Sequence, residues 1–285
     1  MHEVQIVRNV AYRDLYPGEN AGDDKNKLDL YLPGGLKDYP VLFFVHGGAW
    51  IRGSKDHFGM YSALGLYWAR HGVGMVVPNY RLSPAVQHPE HIKDVARAFA
   101  WTHQNIARYG GGADQIFVGG HSAGGHLVAL LATDESYLKV EGLSLRDIRG
   151  VIPISGVYRI HDIHIDAGLN ADPRLKGFSP ERLEARSRHL VRSVFGGDPK
   201  LLVQASPLSH VRSGLPPFLL VYAEHDLPSL GEMAREFDQA LAKKQDEVKA
   251  IEIKDRNHLS VLLRACREDD PVPRAMAEFI QRHIR

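Results

Sequence analysis

The stretch from Ile116 to Ala132 constrains this chain more than any other. An apolar run, Ile116-Phe117-Val118, has the character of a buried strand. It enters Gly120-His121-Ser122-Ala123-Gly124 and leaves as a helix-patterned run, His126 to Ala132. A strand that turns directly into a helix places the central serine in a strained backbone conformation. Bulky side chains at 120 or 124 would clash in so sharp a turn, so both glycines are physically required. The strain aims the Ser122 hydroxyl out of the sheet. The helix beneath it offers unpaired N–H groups and partial positive charge at its N-terminus. That combination suits a nucleophile attacking a carbonyl.

The same strand–helix rhythm recurs along the chain. Val4–Tyr12 and Leu28–Leu32 read as an N-terminal antiparallel pair. Val41–Val45, Met75–Val77, Gly150–Ile154 and Phe218–Tyr222 are further short apolar runs, and Val248–Ile253 alternates as a last strand. Helical patterns lie between them at Tyr61–His71, Glu90–Tyr109, Ser122–Thr133, Glu232–Lys243 and Ala275–Ile284. Alternation of this kind predicts an α/β architecture, a mostly parallel central sheet flanked by helices. The 285 residues fit one domain spanning 1–285. Residues 156–216 break the rhythm with charge-rich helical pieces such as Pro180–Phe195 and the punctuation Gly196-Gly197-Asp198-Pro199. The expectation is a small lid-like insertion over the site; the alternative is a surface helix with loops.

A serine nucleophile needs a base, an orienting acid and an oxyanion site. His46-Gly47-Gly48-Ala49-Trp50 follows the strand Val41–Val45, and its small residues let backbone approach a ligand closely. Gly48, Ala49 and Ala123 are the candidate oxyanion donors, and Trp50 a candidate substrate-binding residue. In the order serine, acid, histidine, Asp226 lies just past the strand Phe218–Ala223, with Glu224 as its rival. His258 lies just past the last strand. His225 and His283 also follow Ser122, but one precedes the acid and the other sits in the final helix.

Composition narrows the remaining classes. With 35 basic and 34 acidic side chains the formal charge is +1, which gives no basic face for nucleic acid or an anionic membrane. No apolar stretch approaches the ~20 residues of a membrane span. The N-terminal residues lack the basic-then-apolar pattern of a secretory signal. These features predict a cytoplasmic protein; oligomeric state is not legible. The one cysteine, Cys266, rules out an intramolecular disulfide and reads as a spare thiol, although Arg264 and Arg267 would favour its thiolate. His161-Asp162-Ile163-His164-Ile165-Asp166 has the look of a small metal set, but a solvated segment is the simpler reading. No cofactor or metal is expected. His88, His91 and Asp94 share one helix near its start and read as structural; a loop held by Asp94 is the alternative. His121 and His126 are expected to pack around the serine turn without reacting.

Together these pieces resemble the hormone-sensitive-lipase-like and feruloyl-esterase-like branch of α/β hydrolases. The resemblance rests on His46–Trp50, Asn79-Tyr80-Arg81-Leu82-Ser83-Pro84, Gly120–Gly124 with His126-Leu127, Asp226 and His258, and runs from about Lys27 to the C-terminus. The His-Gly-Gly-x-Trp form also resembles kynurenine formamidase. Ala49 departs from the third glycine of the lipase-like loop. The resemblance implies an α/β-hydrolase fold, a triad of Ser122, Asp226 and His258, and a small acyl ester as substrate. An N-formyl aryl amide is the alternative substrate. A peptidase and a non-catalytic binding protein on the same fold are further alternatives.

Overall fold

The computed structural model describes residues 1–20, 22–160, 180–244 and 247–284. The His161–Asp166 group and the middle of the 156–216 insertion lie outside them.

Eight strands form one sheet: β1 (Val4–Ala11), β2 (Lys27–Pro33), β3 (Tyr39–Val45), β4 (Gly74–Pro78), β5 (Gly111–His121), β6 (Gly150–Ile154), β7 (Phe218–His225) and β8 (Val248–Asn257). Their order is β1-β2-β4-β3-β5-β6-β7-β8. The β1–β2 and β2–β4 pairs are antiparallel and all others parallel. Every strand and the antiparallel β1–β2 pair match the pattern in the sequence; the antiparallel β2–β4 pairing has no signal there. β3 and β5 are apolar on both sides because helices cover both faces of the sheet.

The helices are α1 (Met60–Arg70), α2 (Glu90–Asn105), α3 (Ala123–Thr133), α4 (Ser136–Val140), α5 (Pro180–Phe195), α6 (Pro199–Gln204), α7 (Leu230–Ala242), α8 (Ser260–Leu263) and α9 (Pro271–His283). One face of the sheet packs Trp68 of α1, Val261 of α8 and Met276 of α9. The other packs Phe99 of α2, Leu127 of α3, Phe195 of α5 and Phe237 of α7. All of α3 is buried, so the helix behind Ser122 meets no solvent. Among the described residues no helix is long and apolar enough to cross a membrane.

Two helix boundaries differ from the periodicity. The pattern Glu90–Tyr109 is one α-helix only to Asn105; Ile106–Tyr109 tightens into a 3-10 turn that Gly110 ends at φ +90°. α9 begins at Pro271, not Ala275. The Asp270 carboxylate caps it by accepting the Val272 N–H at 3.0 Å, and Pro271 occupies the first-turn position where a missing N–H costs nothing.

Register places the site. Val45 of β3 pairs with Gly120 of β5, His121 of β5 with Ile154 of β6, and Ile154 with Val221 of β7. His225 of β7 pairs with Asn257 of β8. The segments that follow β3, β5, β6, β7 and β8 therefore leave the same carboxyl edge of the sheet side by side. They begin at His46, Ser122, Ser155, Asp226 and His258.

Candidate active site

Ser122 stands between β5 and α3 at φ 56° and ψ −118°, a conformation costly for any residue with a side chain. Its N–H is held by the Ile154 carbonyl at 2.9 Å and its carbonyl accepts the His126 N–H at 3.0 Å. The flanking glycines are tight. A Cβ on Gly120 would lie 2.5 Å from the Gly124 carbonyl carbon, and one on Gly124 would strike the Val45 carbonyl and lie 2.7 Å from that of His46. The turn exists because β5, α3 and the loop after β3 meet with no room for a methyl group.

The structure brings Ser122, His258 and Asp226 together. The Ser122 hydroxyl lies 2.9 Å from His258 Nε2, and His258 Nδ1 lies 2.6 Å from Asp226 Oδ1. Nδ1 donates to the carboxylate, so Nε2 is left to accept the serine proton. The carboxylate is 3% exposed. It accepts the Leu227 N–H at 2.8 Å, the Ala223 N–H at 3.1 Å and the Ser155 hydroxyl. Burial alone would raise the carboxyl pKa. The hydrogen bonds from His258, Ser155 and Ala223 outweigh it and hold the group below its ordinary value. Asp226 therefore stays ionised at neutral pH. The rival Glu224 turns away and accepts Lys254 Nζ at 3.1 Å and the Asp255 N–H at 3.0 Å. His225 is 69% exposed, beside Glu224.

The loop after β3 lies against the serine turn: a Cβ on Gly47 would sit 2.8 Å from the His121 carbonyl and 3.2 Å from Ser122 Cβ. Gly48, Ala49 and Trp50 follow with φ of +122°, +54° and +59°. The Gly47 N–H is taken by Tyr61 Oη at 2.8 Å. Among the described residues, the N–H groups of Gly48 and Ala49 have no acceptor, and Ala123 occupies the first position of α3. Two unpaired N–H groups in a loop packed on the serine turn, with the first N–H of α3, have the chemistry to hold an oxyanion.

Trp50 is not beside them as a pocket wall. It is 2% exposed, its indole N–H donates to His126 Nδ1 at 3.2 Å, and its ring meets Phe195 edge-on at 4.9 Å. The positive φ at Trp50 turns its side chain into the core, where it anchors the loop. His126 in turn donates from Nε2 to the Ala205 carbonyl at 2.7 Å, which ties the end of the insertion to α3.

The Asn79-Tyr80-Arg81 segment acts as scaffold under this loop. Asn79 Oδ1 accepts the Lys55 N–H at 2.6 Å, Tyr80 Oη donates to the His46 carbonyl at 3.2 Å, and the Ser83 N–H reaches the Trp50 carbonyl at 2.9 Å. Arg81 is fixed by the fully buried Asp94, which accepts its backbone N–H at 3.0 Å, its Nε at 2.7 Å and its Nη2 at 2.8 Å. His121 takes a larger part than packing. Its Nε2 donates to the His258 carbonyl at 2.8 Å, joining the serine turn to the histidine loop. Burial pushes its pKa down to about 3, so the ring next to His258 stays neutral. Burial likewise raises the Cys266 thiol, against the opposing pull of Arg267, so Cys266 is a poor thiolate. Ser155 had no signal in the sequence beyond its place at the end of a core strand.

Residues 28–241 match the model of the BD-FAE family. The chain belongs to the BD-FAE family. Esterase LipC of Mycobacterium tuberculosis is 32% identical over 91% of this chain and 63% of its own length. The probable isoprenylcysteine alpha-carbonyl methylesterase ICMEL1 of Arabidopsis thaliana is 28% identical over 91% of this chain and 52% of its own. The chain thus spans half to two-thirds of these curated relatives. Esterase B of Lactobacillus rhamnosis superposes with a TM-score of 0.76 at 19% identity, over 98% of this chain and 85% of that one. The esterase of Pyrobaculum calidifontis gives 0.73 at 21% identity, over 99% and 85%. The fold of this BD-FAE member is that of the α/β hydrolases, in the hormone-sensitive-lipase-like group.

Proposed function

We propose that this chain is a serine carboxylesterase that hydrolyses small acyl esters through an acyl-enzyme. The observation that carries the reading is the continuous line from Ser122 Oγ through the His258 ring to the buried Asp226 carboxylate. The esterase name of the relative LipC supports it. His258 Nε2 takes the hydroxyl proton as Ser122 Oγ attacks the ester carbonyl. The tetrahedral oxyanion is met by the N–H groups of Gly48, Ala49 and Ala123; loss of one such donor typically raises the barrier by about 3 kcal/mol. His258 then protonates the leaving alcohol, and water, activated by the same ring, releases the acid and restores Ser122. Asp226 stays ionised throughout, holds the Nδ1–H tautomer and stabilises the imidazolium.

The ester reading is preferred to N-formyl amides. Trp50, the candidate substrate-binding ring, lies in the core and so supplies no aromatic wall for an aryl formamide. We read the end of the 156–216 insertion, anchored through Phe195 and Ala205, as the wall that shapes the acyl site. A chain with one cysteine suits the cytoplasm. The test is turnover of p-nitrophenyl esters from acetate to decanoate, with methyl ferulate and N-formylkynurenine in the same panel. The expected result is hydrolysis of short aryl and alkyl esters by the wild type and loss of nearly all of it in Ser122→Ala. Turnover of N-formylkynurenine above all esters would overturn the ester reading.

A further inference from the structure

We propose that Ser155 is a positioning residue for the acid of the triad: its hydroxyl fixes the plane of the Asp226 carboxylate so that one oxygen stays in line with His258 Nδ1–H. The inference rests on the triad reading above and adds a fourth side chain to it.

A carboxylate can turn about its last side-chain bond, and only near one plane does either oxygen lie in line with the imidazole N–H. Oδ1 is fixed by the His258 ring and the Leu227 N–H. Oδ2 is fixed by the Ala223 N–H and by Ser155 Oγ, the one side-chain donor on that oxygen among the described residues. Asp226 is 3% exposed at its side chain and Ser155 is 1% exposed overall, so water does not replace this hydroxyl.

Ser155 is held in place at some cost. Its φ is +49°, a region that favours glycine, and its N–H is anchored on the Val221 carbonyl at 2.7 Å. The carbonyl one residue earlier, Ile154, accepts the Ser122 N–H at 2.9 Å. Two successive residues at the tip of β6 thus hold the nucleophile by its backbone and the acid by its side chain. The tip of β6 is the physical spacer between the two ends of the triad. A glycine would take this backbone more easily but would leave Oδ2 short of its donor.

The test compares Ser155→Ala and Ser155→Gly with the wild type and Ser122→Ala. Rates are taken per active site titrated with a fluorophosphonate, so unfolded protein does not count. Losing a hydrogen bond to a buried charge predicts a kcat reduced roughly tenfold, about 1.4 kcal/mol, with KM within about twofold. The Gly variant loses as much as the Ala variant although it relieves the φ. The low-field proton resonance of His258 Nδ1–H broadens in both as the carboxylate rotates. Wild-type kcat per titrated site and an unchanged resonance in both variants would overturn the inference. If Ser122→Ala remained active, the triad itself would be wrong; a dead Ser122→Ala beside fully active Ser155 variants would remove Ser155 alone.

Discussion

Lowering the pH from 7.5 to 5 is expected to remove most of the folding stability of this protein. Five imidazoles, His46, His88, His91, His121 and His126, are each at most 7% exposed. Burial pushes their pKa values from 6.5 down to about 3, and to about 4 for His88. Between those values and 6.5 the unfolded chain binds protons that the folded chain excludes. Stability is therefore complete above pH 6.5 and declines as the pH falls toward 4 and 3. Each group costs about 1.4 kcal/mol per pH unit below 6.5, hence about 2 kcal/mol at pH 5 and ~10 kcal/mol for the set. A typical domain has about 5–15 kcal/mol in total, so unfolding near pH 5 follows. The depressed carboxylates Asp226, Glu19 and Glu90 share the direction but act only below the ordinary carboxylate range, so they add little between 7.5 and 5. Urea unfolding followed by tryptophan fluorescence at half-unit pH steps measures the effect, and His88→Leu should flatten the slope by about one proton. Equal stability at pH 7.5 and 5 would refute the reasoning.

Two substitutions test the site from different sides. Gly124→Ala drives a methyl into the Val45 carbonyl, so the serine turn is expected to shift, with Tm lowered by at least about 5 °C and hydrolysis abolished; both follow from a melt and a p-nitrophenyl acetate assay. Asp226→Asn keeps the shape of the acid but permits the wrong His258 tautomer, and kcat is expected to fall about 10⁴-fold with the fold intact by circular dichroism.

The serine turn was legible because its requirements are steric and local. Glycine at 120 and 124, a strand before and a helix after leave few alternatives to the geometry seen. Asp226 and His258 were legible through chain order, since parallel strands deliver their following residues to one edge of the sheet. Glu224 could be set aside only in three dimensions, where Lys254 and the backbone of Asp255 occupy it. Trp50 misled because a tryptophan in a glycine-rich loop carries no sign of which way it turns; a φ of +59° sends it inward. Asp94 reads as structural; that it holds the Arg81 segment beneath His46–Trp50 is a tertiary fact. Ser155 and the bond from His121 to the His258 carbonyl were hidden for the same reason. Each joins elements more than 70 residues apart by one hydrogen bond, with no periodicity to mark it. The last helix starts ahead of the pattern Ala275–Ile284 because a first turn capped by Asp270 accepts the prolines at 271 and 273.

The most direct test is covalent. The wild-type protein is treated with a fluorophosphonate, digested and sequenced by mass spectrometry. If Ser122 is the nucleophile, one adduct forms, it lies on Ser122, and its appearance parallels the loss of esterase activity. An adduct on another residue, or full loss of activity with Ser122 unmodified, would contradict the assignment.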